Sequence, residues 1–364
     1  MSISRPTEMI RVLHIISGDL WAGAEAQAYA LIKQLGKDCT IAIVLMNEGE
    51  LATRLRALNI PVTVLDETRA SPWQLLQGIR HTINTFRPTV IHTHRQKENI
   101  LGSLANLTTL RVRCVRTVHG ASEFDGGLKT RAQRWLDHAC GRWLQHGVIV
   151  VSQELMGKLK GHYGAQHLYC VPNGVDLAEL TEKANAGTDL SFQADCQHIA
   201  IIGRLVSVKR VDLFLETARL VLDRSTKYRF HIVGDGPLEK TLKEQAATLE
   251  LTEPYMQFHG HRTDIPAIIQ ACDAVVLCSD HEGMPMVALE TLGLGKVLLA
   301  THTVCLAQNG VLTGHAPVAQ TSNALCEAIF GLQDKSTHQE PRQYRFKLTI
   351  DQCAKQTIGV YCYE

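Results

Sequence analysis

Apolar residues along this chain fall into two alternating patterns. Short runs rich in β-branched residues are separated by longer stretches whose apolar positions recur every three or four residues. In the first half "RVLHIIS" (11–17), "TIAIVLM" (40–46), "PVTVL" (61–65), "TVIHTH" (89–94), "RCVRTVH" (113–119) and "GVIVVS" (147–152) predict six strands. Amphipathic stretches at 24–36, 73–86 and 98–107 predict helices between them. Nearly continuous apolar strands separated by helices predict a parallel sheet covered on both faces.

The pattern pauses at "VPNGVDLAELTEKANAGTDLSFQADC" (171–196), which is richer in turn formers and charge and reads as a linker. It resumes with "HIAIIG" (198–203), "YRFHIVG" (228–234), "MQFHG" (256–260), "DAVVLCS" (273–279) and "KVLLAT" (296–301), a second parallel α/β unit. The segment 344–364 predicts one last helix. The expected organisation is a doubly wound α/β domain over 1–170, the linker over 171–196, a second such domain over 197–340 and a closing segment over 341–364. Two halves of this kind predict a cleft between them. In open parallel sheets ligands bind beyond the carboxyl ends of the strands, so chemistry is to be sought in the loops that follow them.

Composition narrows the class. The 364 residues suffice for two domains, and a net charge of +1 gives no global attraction to nucleic acid, which is not expected as a partner. Eleven cysteines without a C-x-x-C pair fit reduced thiols better than a disulfide framework or a zinc site. The N-terminal stretch lacks a signal-peptide core, and no later run reaches transmembrane length, which predicts a cytoplasmic protein.

The strand-end loops carry the candidate chemistry. Gly18 and Gly23 in "SGDLWAGAEAQAYAL" permit a sharp turn into a helix whose free amides favour a phosphate, although a plain turn would use the same glycines. Arg204 and Lys209 in "GRLVSVKRVD" suit a diphosphate clamp, Arg by its fork and Lys as a point charge, unless they form an ordinary solvated pair. Gly234 and Gly236 in "VGDGPLEKTL" give G-x-G without a third glycine, and Pro237 is ordinary helix-start chemistry. A turn near a nucleotide base fits this stretch better than a dinucleotide fingerprint. His119 ends the fifth strand as either a satisfied polar group or a cleft-facing participant. His92 and His94 share a strand face, but no third ligand stands at suitable spacing, so no metal site is expected.

In "HEGMPMVALE", Glu282 and Glu290 flank a turn and the start of a helix. Eight helical residues rise about 12 Å, too far for a glycosidase pair at roughly 5–9.5 Å. The spacing suits one elongated ligand, with a sugar at one end of a diphosphate and a ribose at the other. The plainer reading makes Glu282 a helix cap and Glu290 a surface residue. Its apolar neighbours Val287, Ala288 and Leu289 make an unpaired Glu290 costly.

Together "GDLWAGAE", "VHG", "VPNGVD", "GRLVSVKRVD", "VGDGP", "FHGHRTDIPAIIQACDAVVLCS" and E-x7-E resemble the retaining GT-B glycosyltransferases of family 4, group 1, over nearly the whole chain. The resemblance implies two Rossmann-like domains, the C-terminal one binding a nucleotide-sugar and the N-terminal one shaping an acceptor site. Arg204 and Lys209 would hold the donor diphosphate and stabilise the leaving nucleotide. Glu290 would bind the ribose, and Glu282 and His119 would contact the donor sugar. Backbone amides over Gly283, Met284, Pro285 and Met286 would meet sugar and phosphate, Gly23 the phosphate from the other domain, and Arg262 the base. No divalent metal or other cofactor is implied, and the last helix would cross back to the first domain. This chain departs from the family at Ala22-Gly23, where two glycines are usual, and over 293–310, where Lys296 replaces a proline and a later acid is absent.

One further stretch, "LKTRAQRWLDHACGRWLQH" (128–146), combines Lys129, Arg131, Arg134 and Arg142 with Trp135 and Trp143. Its tryptophans are expected to pack into the first domain's core. The alternative is a basic helix resting on a membrane that carries a lipid-linked acceptor. The expected function is transfer of a hexose-type sugar from an NDP-sugar to a saccharide or lipid-linked hydroxyl acceptor in polysaccharide, lipopolysaccharide or glycolipid assembly. The alternatives are a nucleotide-sugar epimerase or hydrolase on the same scaffold, or a degenerate nucleotide-sugar-binding protein.

Overall fold

The computed structural model describes residues 9–120, 128–163, 167–301, 318–332 and 348–362. The chain divides into two compact units, Met1–Gly174 with Ile350–Glu364, and Val175–Thr349.

The first unit is a parallel sheet of β1 (Arg11–Ile16), β2 (Thr40–Leu45), β3 (Val62–Val64), β4 (Val90–Thr93), β5 (Arg113–Val118), β6 (Gly147–Val150) and β7 (Leu168–Cys170). Their order is β3-β2-β1-β4-β5-β6-β7, so the winding reverses between β1 and β4. Both faces are covered, which is why the strands read as unbroken apolar runs. Val12 and Ile16 of β1 pack with Leu31, Ile32 and Leu35 of the helix Gly23–Leu35 and with Ile350, Cys353 and Val360 of the last helix, Ile350–Cys362. Leu13 and Ile15, on the opposite face, pack with Leu75, Ile79 and Ile83 of the helix Pro72–Phe86. β7 was missed in the sequence because its three residues carry no readable alternation.

Each face also carries polar side chains. His14, His92 and Thr117 lie fully or almost fully buried on one face of the sheet. On the other, Arg116 is 0% exposed and donates to both Asp137 oxygens at 2.7 Å and to the Tyr163 hydroxyl at 3.0 Å. Asn99 donates to Asp137 Oδ1 at 2.7 Å, so the buried charges are paired and hydrogen-bonded, the condition under which a core tolerates them.

The second unit is a parallel sheet of β8 (Gln197–Ile202), β9 (Tyr228–Val233), β10 (Met256–Phe258), β11 (Ala274–Leu277) and β12 (Val297–Ala300), ordered β10-β9-β8-β11-β12. Phe214, Leu215 and Ala218 of the helix Val211–Leu222 pack with Phe230 and Ile232 of β9 and with Leu325 and Ile329 of the helix Ser322–Phe330. The loops after β8, β9 and β10 are laced together. Leu205 N–H donates to the Asp235 carbonyl at 2.7 Å, and Gly234 N–H donates to the Gly260 carbonyl at 2.8 Å. Gly234 and Gly236 have φ of +132° and +155°, and a Cβ on them would lie 2.0 Å from Gly203 O and 2.5 Å from Leu205 O. The G-x-G is therefore a device for close backbone approach between two strand-end loops.

Residues 171–196, expected as a linker, contain the helix Leu177–Asn185. Asp176 caps it, accepting from the amides of Ala178 and Glu179 at 3.1 Å each. The two units divide just before this cap, at Gly174 and Val175. Among the described residues no helix is long and apolar enough to cross a membrane.

Candidate active site

In the second unit the loops after β8 and β11 bring Lys209 and Glu282 together. Lys209 ends the short 3-10 turn Ser207–Lys209, and Glu282 lies in the loop before the helix Met286–Gly293. Lys209 Nζ donates to Glu282 Oε1 at 2.5 Å, and Ser279 Oγ donates to the same oxygen at 2.7 Å. The two charged side chains are only 24% and 14% exposed, so the pair is less screened than a surface ion pair. Gly203, Arg204, Lys209, Cys278 and Ser279 line one cavity at these strand ends. Arg204 is exposed and has no ion-pair partner among the described residues. Arg210, by contrast, is consumed by Asp212 and Asp280. The two cations singled out by the sequence thus include one that is free and one held by a single carboxylate.

The helix Met286–Gly293 begins after Pro285, which has no amide and gives no side-chain cap. The amides of Met286 and Val287 have no acceptor among the described residues, so this end favours an anion or an oxygen-rich ligand. Gly283 precedes it, and Met284 is buried. Glu290, in the second turn, is half-buried, and its carboxyl has no hydrogen-bond or ion-pair partner among the described residues. Burial raises its carboxyl to about 7, with Lys183 pulling weakly the other way. An unpartnered carboxyl in this setting is one that ligand hydroxyls would satisfy.

Arg262 follows β10 and spends its fork on carboxylates. Nε and Nη2 donate to the two Asp264 oxygens at 2.8 Å each, and Nη2 also pairs with Asp189. These bonds, with Thr188, hold the Asp264 carboxyl at about 2. Lys296 donates to the Cys272 carbonyl at 3.2 Å. The rest of the departing region, 302–310, lies outside the described residues.

In the first unit Gly23 opens the helix Gly23–Leu35, whose N-cap is Ala22. The buried Glu25 carboxyl lies in its first turn, where the nearby amides of Ala22 and Glu25 pull its pKa down. Arg95 pairs with Glu25 and, at 3.3 Å, with Asp19. Burial nonetheless raises the Glu25 carboxyl, against the pull of Arg95.

His119 directly follows β5 and is half-buried. Its Nε2 lies 3.2 Å from His94 Nδ1, and His94 Nε2 lies 3.1 Å from His14 Nδ1. His92 joins Tyr361 OH at 2.6 Å and Thr117 Oγ1 at 2.7 Å. Burial, with neighbouring imidazoles for His92 and His94, holds all four rings neutral: His14 at about 3, His119 at about 4, His92 and His94 well below the ordinary range.

The third imidazole that the sequence did not reveal is His14, in register with His92 across β1 and β4, and donor atoms of His14, His92 and His94 lie within 4.8 Å of one another. Yet both nitrogens of His92 and of His94 are engaged, and of these three rings only His14 Nε2 is without a partner among the described residues. A zinc ion needs several free lone pairs converging at roughly 2.0–2.1 Å. The donor set as built does not offer them.

The tryptophans of the helix Leu128–Trp143 contradict the expectation of core packing. Trp135 is 67% and Trp143 71% exposed, with Leu136 beside them at 43%. The inward face of this helix is taken by Asp137, Cys140 and Gly141, and Asp137 is fixed there by Arg116. The tryptophans are left on the outer side. The side chains of Lys129, Arg131 and Arg134 lie outside the described residues.

Comparison with known proteins bears on the family and the fold. Residues 21–179 match the family described as Glycosyltransferase Family 4, and residues 196–334 match Glycosyl transferases group 1. The chain is similar to the Escherichia coli UDP-Gal:alpha-D-GlcNAc-diphosphoundecaprenol alpha-1,3-galactosyltransferase, 24% identical over 318 residues and 82% of each chain. It is 23% identical over 296 residues to a Campylobacter jejuni alpha-1,4-N-acetyl-D-galactosaminyltransferase acting on a diphosphoundecaprenol-linked saccharide, covering 78% of this chain and 77% of the relative. Among solved structures, Anabaena HepE in complex with UDP and glucose superposes with a TM-score of 0.75 at 21% identity, covering 96% of this chain and 94% of that one. That likeness establishes the GT-B fold.

Proposed function

We propose how this chain, which belongs to the glycosyltransferases of family 4, group 1, uses these loops to move a sugar. It is a nucleotide-sugar glycosyltransferase. The observation that carries the residue-level reading is the Lys209–Glu282 pair beside the unpaired Arg204, at strand ends adjoining an uncapped helix N-terminus.

In this reading the donor diphosphate takes Arg204 and Lys209 as counter-ions, and the amides at Met286 and Val287 supply further positive potential. Glu290 accepts from the ribose hydroxyls. Glu282, once Lys209 turns to phosphate, accepts from a sugar hydroxyl, with Ser279 holding the carboxylate in place. The bond from the anomeric carbon to the diphosphate oxygen breaks, and a bond to the acceptor oxygen forms on the same face. The acceptor proton passes to the departing phosphate. Charge growing on that phosphate is met by cations already in position, so the site needs no divalent ion. Gly23 and His119, in the first unit, contribute a phosphate contact and a sugar contact. Arg262, its fork filled by Asp264 and Asp189, is left with its flat face for the base.

The acceptor we assign is a saccharide carried on a polyprenyl diphosphate. The E. coli and C. jejuni relatives bear such acceptors in their names. The exposed Trp135, Leu136 and Trp143 give this chain an apolar surface with which to rest on the membrane holding one. The named relatives are transferases, which does not favour an epimerase, a hydrolase or a degenerate binder.

Thermal melting with UDP-, GDP- and ADP-hexoses tests the donor reading. One nucleotide class raises Tm, because a ligand that binds only the folded state stabilises it, and Glu290→Ala diminishes the rise. No shift with any of them would overturn the reading.

A further inference from the structure

Three imidazoles of the first unit form a file. His14 Nδ1 meets His94 Nε2 at 3.1 Å, and His94 Nδ1 meets His119 Nε2 at 3.2 Å. The two outer nitrogens, His14 Nε2 and His119 Nδ1, are buried with no hydrogen-bond partner among the described residues. The rings are neutral, so each carries one ring proton. Each link needs one proton and has room for no more. Only two arrangements satisfy both links. In one, every ring is Nδ1–H and His119 ends the file with a donor. In the other, every ring is Nε2–H, the outer N–H belongs to His14, and His119 ends with a bare lone pair. No ring can change alone, because it would face two protons or two lone pairs across a link.

Either arrangement leaves one outer N–H without a protein partner, and a buried orphan N–H is costly. His14 is 0% exposed in mid-strand, whereas His119 is half-buried at the strand end. His119 also lines a small cavity with Gln27, whose buried Oε1 is an acceptor without a partner among the described residues. The N–H is therefore less costly at His119.

We propose that His14 and His94 are positioning residues that hold His119 as a neutral Nδ1–H tautomer, a hydrogen-bond donor to an oxygen of the bound sugar rather than a base. The role rests on the reading that His119 contacts the sugar. A second file provides an internal reference. His198 Nδ1 meets His231 Nε2 at 2.8 Å, and His231 Nδ1 meets His259 Nε2 at 2.9 Å. His198 Nε2 lies 3.0 Å from the Gln193 carbonyl, which can only accept. For neutral rings this anchor makes all three Nε2–H, the opposite polarity.

Long-range proton–nitrogen correlation spectra of the full chain, labelled with nitrogen-15 at histidine, read both files directly. The expected result is Nδ1–H at His14, His94 and His119, with Nε2–H at His198, His231 and His259. In His94→Phe, which cuts both links at similar volume, His119 gains the Nε2–H form while the second file keeps its signals. Release of nucleotide from a UDP-, GDP- and ADP-hexose panel then slows in His94→Phe by on the order of tenfold, with nucleotide affinity unchanged. An Nε2–H His119 in the unmutated chain, or a tautomer unmoved by His94→Phe, overturns the proposal while leaving the site reading intact. If the tautomers are as stated but His119→Asn turns over donor normally, the site reading fails and the donor role falls with it.

Discussion

Lys209 Nζ lies 2.5 Å from Glu282 Oε1, joining the loop after β8 to the loop after β11 through one partly desolvated charge pair. Before a donor binds, each group is the other's counter-charge. A diphosphate would compete for the lysine and release the carboxylate for sugar hydroxyls. Lys209→Ala is accordingly expected to lower donor turnover by on the order of 10²–10³-fold. Its melting temperature should fall by only a few degrees, as for a pair that is not fully buried. Steady-state rates and thermal melts on the same preparation check both parts.

Glu290 should leave a signature in stability against pH. Its carboxyl is raised to about 7 in the folded chain from the ordinary value of 4.5. Below 4.5 it is protonated whether folded or not, and it costs nothing. As pH rises from 4.5 to 7 the unfolded chain ionises first, so folding loses stability across that window. Glu290→Gln removes this loss. The fall in Tm between pH 5 and 7 should be smaller in the variant, by on the order of a few degrees. Parallel curves for the two proteins would contradict the burial argument.

The pair of Arg116 with Asp137 is the deepest charge contact described, with both side chains 0% exposed. Arg116→Met leaves Asp137 buried without its cation and is expected to cost about 3–5 kcal/mol. Arg116→Met with Asp137→Leu should recover much of that, because no lone charge remains. Urea unfolding of both variants measures the difference. A double variant no more stable than the single one would count against the account.

For Trp135 and Trp143, exposure makes the prediction one of binding rather than folding. Trp135→Ser with Trp143→Ser should change stability by no more than about 0.5 kcal/mol. It should weaken sedimentation with vesicles containing phosphatidylglycerol. Unchanged vesicle binding would remove the membrane contact from the proposal.

Much of this was legible in the sequence because parallel strands buried on both faces leave runs such as "RVLHIIS" and "DAVVLCS". The loops following them could then be located without a structure, and with them Arg204, Lys209 and Glu282. Contacts between distant strands were not legible. His14 looked like one polar residue in an apolar run, and only the β1–β4 register sets it against His92 and His94. The G-x-G glycines were readable as a turn, but their cause is the Gly203 and Leu205 backbone on another strand end. Exposure of the tryptophans was only the second reading of the sequence, because nothing in it shows that Asp137, a charged residue, takes the inward face of their helix. Ser279 was not singled out in the sequence, because its bond to Glu282 depends on a loop path that spacing does not fix.

The most direct test incubates the full chain with UDP-, GDP- and ADP-hexoses and a polyprenyl-diphosphate-linked N-acetylhexosamine. Mass spectrometry then detects the product, and NMR reads its anomeric configuration. The account predicts a lengthened lipid-linked saccharide, made from one nucleotide class with the donor's configuration retained, and absent with Lys209→Ala. Donor consumed without any sugar reaching the acceptor, or product formed equally well by Lys209→Ala, would contradict it.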